Sequence, residues 1–96
     1  MRYGLPDRLL SEITELAKAH NLGRVMLFGS RARGDYHDTS DIDLAVSGGD
    51  VNAFALDVEA ETQTLLSFDV VNLDGSVQRE LLESIAREGC LIYEKV

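Results

Sequence analysis

Four short runs with strand character alternate with segments of helical period, and that alternation sets most of what this chain can become. The run Arg24 to Phe28 carries Val-Met-Leu-Phe between Gly23 and Gly29, as a buried strand does. The run Asp41 to Val46 alternates, with Asp41, Asp43 and Ala45 pointing one way and Ile42, Leu44 and Val46 the other. In the run Phe68 to Leu73 the same period puts Asp69, Val71 and Leu73 on one face, and Cys90 to Glu94 reads as a last strand. Between these runs lie helical patterns. The first opens at Pro6-Asp7, repeats Leu9, Leu10, Ile13, Leu16 and Ala17, and stops at Asn21-Leu22-Gly23. A single turn fits Ser30 to Arg33, a longer helix fits Val51 to Leu66, and another fits Val77 to Arg87. The order α-β-short α-β-α-β-α-β predicts an α/β (α+β) fold, a sheet of about four strands covered by helices. With 96 residues, no internal repeat and no linker, residues 1–96 are read as one domain.

Charge and cysteine usage narrow the function classes. The net charge of −8 is the wrong sign for a chain that grips nucleic acid nonspecifically, so direct nucleic-acid binding is not expected. The single cysteine, Cys90, has no partner for a disulfide and no zinc-like spacing, and a buried inert thiol is expected there. No apolar run approaches the roughly 20 residues of a membrane span. Met-Arg-Tyr-Gly-Leu-Pro lacks the apolar stretch of a signal peptide, and a cytoplasmic location is the default expectation.

Three segments carry chemical interest: Gly29-Ser30-Arg31-Ala32-Arg33-Gly34, Ser40-Asp41-Ile42-Asp43-Leu44, and Phe68-Asp69-Val70. Carboxylates two apart on a strand share a face, about 6–7 Å apart along the chain. They repel each other unless a cation lies between them, and hard oxygen ligands suit Mg²⁺. Asp-X-Asp alone is common, and two solvated carboxylates would explain it. The glycine–serine turn adds to it. Backbone N–H groups after a buried strand can face an anion, and a missing side chain lets phosphate approach. Gly29 and Ser30 are therefore candidate phosphate ligands, with Arg31 and Arg33 adding positive charge. His37 in the intervening loop, His20 near a helix end, and Tyr3, Tyr36 and Tyr93 have no such support and read as ordinary polar positions.

The string Leu-Phe-Gly-Ser-Arg-Ala-Arg-Gly followed by Ser-Asp-Ile-Asp-Leu resembles the nucleotidyltransferase superfamily that includes DNA polymerase beta, and its minimal nucleotidyltransferase branch in particular. The ending Glu88-Gly89-Cys90-Leu91-Ile92-Tyr93-Glu94 is also similar to the close of that domain, so the resemblance spans most of the chain. It implies a mixed sheet carrying three carboxylates. Asp41 and Asp43 match the family's metal-binding pair, and Asp69 stands where a third carboxylate often lies. It further implies two Mg²⁺ ions, for which Mn²⁺ can substitute, with ATP or another nucleoside triphosphate as donor.

Larger members of the superfamily carry extra segments for base and acceptor, and this chain is expected to lack an acceptor site of its own. Minimal members resembling it pair with a small helical HEPN-type protein in toxin–antitoxin modules, where the nucleotidyltransferase adds AMP to a tyrosine of the toxin. The resemblance implies that role. Two alternatives stay open: the catalytic subunit of a two-component enzyme acting on a small molecule, and an antitoxin that neutralises by contact alone. Self-association is left open.

Overall fold

A computed structural model describes all residues from Met1 to Val96. The element order is α1 (Asp7–Ala19), β1 (Arg24–Phe28), α2 (Ser30–Arg33), β2 (Ile42–Ser47), α3 (Val51–Glu61), β3 (Phe68–Asn72), α4 (Arg79–Glu88) and β4 (Cys90–Glu94). The strands form one sheet in the order β3-β2-β1-β4. β1 is antiparallel to both β2 and β4, whereas β2 and β3 are parallel, so the sheet is mixed. The parallel pair needs a crossover, and α3 supplies it.

Strand parity divides the molecule into two cores. Val25, Leu27, Ile42, Leu44 and Val46 point to one face and pack with Leu9, Leu10, Ile13 and Ala17 of α1 and with Val51, Phe54 and Val58 of α3. Phe28 and Ala45 point to the other face, where Ile85 of α4 meets them, with Met26, Val71, Leu73 and Leu81 around the edge. The first cluster has 14 buried residues and the second only 3, so α4 covers its face incompletely. The alternation read in Asp41–Val46 and Phe68–Leu73 holds: Asp43, Ala45, Asp69 and Val71 belong to the thinly covered face.

Local chemistry explains most boundaries. Asn21 ends α1 with φ 62°, a left-handed conformation that Asn tolerates better than most residues. Asp50 caps α3 by accepting from the Ala53 N–H at 3.1 Å. Several boundaries differ from the sequence reading. α3 stops at Glu61 rather than Leu66, because Thr62 turns extended at φ −86°, ψ 148°. The Thr62 hydroxyl donates to the Val58 carbonyl at 2.6 Å, and the chain then crosses back to start β3. β2 begins at Ile42, one residue after Asp41, and α4 begins at Arg79 rather than Val77. Cys90 is half-buried rather than fully enclosed. No helix is long and apolar enough to cross a membrane.

Candidate active site

The site forms where the C-terminal end of β1 meets the N-terminal ends of β2 and β3. Antiparallel register sets Phe28 opposite Asp43, and parallel register sets Asp43 beside Asp69. Asp43 and Asp69 are thus cross-strand neighbours on one face. Asp41 lies just before the ladder and is exposed, as is Asp69, while Asp43 is half-buried.

Gly29 follows Phe28 and is required twice over. Its φ of 75° lies in the left-handed region. A Cβ there would also run into the Asp43 carboxylate, first at Oδ2. Backbone and carboxylate therefore approach as closely as the chain permits. Ser30 opens α2, and the turn closes when the Arg33 N–H donates to the Gly29 carbonyl at 3.1 Å and the Gly34 N–H to the Ser30 carbonyl at 2.9 Å. Gly34 caps it at φ 94°.

The carboxylates sense one another. The Asp43 carboxyl is held above the ordinary aspartate range, first by burial, then by the charge of Asp69, then by that of Asp41. Arg33 and Arg31 pull the other way and do not cancel the effect. Hard oxygen donors that repel one another are the chemistry a divalent cation would relieve, so the residues suit one. In the present arrangement the three side chains do not converge tightly enough to enclose an ion.

The two arginines part company. Arg31 is 2% exposed and its guanidinium points into the loop before β2, where it donates only to backbone carbonyls. The expectation that Arg31 assists with phosphate does not survive this placement, because every donor direction is already used inside the chain. Residues two apart on a helical turn do not face the same way, so the spacing of Arg31 and Arg33 already carried that warning. Arg33 stays on the surface, paired with Asp35 at 3.3 Å and Glu88 at 3.2 Å. His37 is exposed in the loop. His20, read as an ordinary polar residue near a helix end, is bonded through Nε2 to the Asp57 carboxylate at 2.7 Å, tying α1 to α3.

The carboxylate end is an open shelf. The molecule's one concavity, about 220 Å³, lies elsewhere, among Arg2, Asp7, Leu10, Ser11, Thr14, Glu15 and Ile92. Its lining sets Arg2 among Asp7 and Glu15 and includes none of Gly29, Ser30, Asp41, Asp43 or Asp69, so the concavity is separate from the shelf.

Known proteins resemble this chain in sequence and fold. The family profile described as Polymerase beta, Nucleotidyltransferase matches residues 11–96. A Methanocaldococcus jannaschii protein, provisionally named a protein adenylyltransferase, is 38% identical over 100 residues, covering 91% of this chain and 97% of its own. A chain in a crystal structure of a toxin–antitoxin with AMP-PNP superposes with a TM-score of 0.69 at 25% identity, over 90% of this chain and 73% of that one. The structure of a minimal nucleotidyltransferase, also provisionally named, gives a TM-score of 0.68 at 28% identity, over 94% and 95% of the two chains.

Proposed function

The chain belongs to the polymerase beta nucleotidyltransferase family, and from that premise we propose that it is an antitoxin that transfers AMP from ATP to a tyrosine hydroxyl of a partner HEPN-type toxin. The observation that carries this reading is the pairing of Asp43 with Asp69 beside Gly29, on an open shelf away from the molecule's one concavity. A folded partner supplies what the shelf lacks. The same observation weakens the small-molecule alternative, which needs an acceptor pocket at the carboxylates.

Asp41, Asp43 and Asp69 would hold Mg²⁺ or Mn²⁺, two ions in the full reaction. When bound, the metal supplies charge that favours the ionised phenol and neutralises the departing pyrophosphate. The chain's own groups do the rest. Gly29, without a side chain, lets the triphosphate lie against the backbone, and the Ser30 N–H and hydroxyl donate to its oxygens. Arg33 can turn from Glu88 toward the phosphates at modest cost, because ion pairs at the surface are screened by water and salt. Asp69, level with Asp43 on the neighbouring strand, receives the phenol proton, which at a pKa near 10 needs a nearby base. The phenol oxygen bonds to the α-phosphorus, the bond from that phosphorus to the bridging oxygen breaks, and pyrophosphate leaves.

Co-expression with the partner and mass spectrometry test the proposal. Tyrosine carrying one AMP is expected with the wild-type chain and none with Asp43→Asn. A partner that is silenced while unmodified would instead identify a contact antitoxin.

A further inference from the structure

Asp41 stands outside the strand ladder, and something other than the sheet has to hold it. On its C-terminal side the Ile42 N–H donates to the Ser67 carbonyl at 2.9 Å. On its N-terminal side lies the peptide joining it to Ser40. That peptide's carbonyl accepts two bonds from Arg31, from Nε at 3.1 Å and Nη2 at 3.0 Å. Nη2 also donates to the Asp38 carbonyl at 3.2 Å, and Nη1 to the carbonyls of Tyr3 at 3.0 Å and Gly4 at 3.4 Å. The guanidinium carbon sits 5.0 Å from the centre of the Tyr36 ring. Arg31 makes no pair with a carboxylate, although Arg8, Arg33, Arg79 and Arg87 all do. A buried cation without an anion is costly unless carbonyl dipoles replace water around it. An apolar side chain would fill the same space without that cost. The guanidinium fork, however, can grip several carbonyls in one plane, which an apolar residue cannot.

The far jaw of this grip is the N-terminus. Arg2 and Leu5 close a tight turn through bonds of 3.1 and 2.8 Å, with Tyr3 and Gly4 at φ 59° and 69°. A Cβ on Gly4 would meet Tyr36 Cζ at 2.7 Å and Arg31 Nη1 at 2.8 Å. Residues 2–5 thus pack on the underside of the motif loop, ahead of residues 11–96 that carry the family profile.

We propose that Arg31 is a positioning residue that sets the backbone of Asp41, and that the N-terminal turn of residues 2–5 locks it in place. The inference rests on the reading of Asp41 as a metal ligand. Mn²⁺ binding followed by electron paramagnetic resonance tests it without reference to activity, alongside thermal melts that report folding. Removing a group that orients a metal ligand costs about 10–100-fold in affinity. Folded Arg31→Lys, which cannot span the same carbonyls, should lose Mn²⁺ affinity in that range. Adding Asp41→Asn to it should then cost little more, because Asp41 is already displaced. Gly4→Val, which keeps the Arg31 side chain but pushes its guanidinium and Tyr36 out of the grip, should reproduce the loss if Arg31→Lys fails to fold. Guanidinium ion at millimolar concentration should restore affinity to Arg31→Ala, a rescue that mere destabilisation would not give. Wild-type Mn²⁺ affinity in folded Arg31→Lys or Gly4→Val overturns the inference alone. A wild-type chain that binds no Mn²⁺ overturns the functional reading and this inference with it.

Discussion

Single side chains at the carboxylate end work against the stability of the fold, and that conflict can be measured. Asp43 has its carboxyl held above the ordinary aspartate range by burial and by Asp69 and Asp41. A raised folded-state value means that the protonated form suits the fold. The corresponding stability is complete below the unfolded pKa of about 3.9 and is lost as pH rises through the higher folded value. At neutral pH the ionised group is therefore a burden on the metal-free protein. Asp43→Asn should raise the metal-free melting temperature at pH 7, by about 4–8 °C for each kcal/mol relieved, and the gain should vanish below pH 4. Calorimetry across pH checks this, and an unchanged or lower Tm at pH 7 would count against the clustered charge. Gly29 makes the complementary case. Gly29→Ala imposes a side chain at φ 75° and drives it into Asp43, so it should cost about 1–3 kcal/mol and also block phosphate approach. Ser30→Ala should weaken binding of ATP with Mg²⁺ by about 0.5–1.5 kcal/mol in calorimetric titration, the net worth of one hydrogen bond.

At the scale of elements, the strands were the most legible part of the sequence. A period of two has only two phases, and Ile42, Leu44 and Val46 leave no doubt which phase faces the larger core, so Asp43 had to face the other way. The same logic placed Asp69 with Val71. What periodicity could not supply was adjacency: nothing in either strand says that Asp43 and Asp69 share a register position, which follows from the parallel β2–β3 pairing. Helix ends were less legible. Thr64, Leu65 and Leu66 continue a helical pattern, but the crossover to β3 needs an extended return, and tertiary geometry overrides local preference there. Arg31 was misread because its charge suggested a ligand, whereas its burial depends on a loop and an N-terminal turn remote in sequence. His20 and Asp57 were invisible as a pair for the same reason. Their half-buried bond between α1 and α3 predicts that Asp57→Ala loses about 1 kcal/mol in urea unfolding, with no effect on ATP binding.

For the whole molecule, the governing feature is an open shelf of carboxylates on a small acidic domain. The two-core design accounts for it: α1 and α3 seal one face of the sheet, and α4 leaves the carboxylate end of the other face uncovered. On the proposed function, a shelf of this shape holds the nucleotide and a folded partner encloses the acceptor. On the proposed function, the third carboxylate serves transfer rather than nucleotide retention. The direct measurement pairs ATP affinity with AMP incorporation into the partner toxin, for the wild type and for Asp69→Asn. Asp69 is exposed, and its neighbours Val70 and Val71 carry the strand's packing, so the variant should fold. ATP affinity close to wild type is expected, because Asp41 and Asp43 remain, together with loss of incorporation into the toxin. Incorporation at the wild-type rate in Asp69→Asn would contradict it.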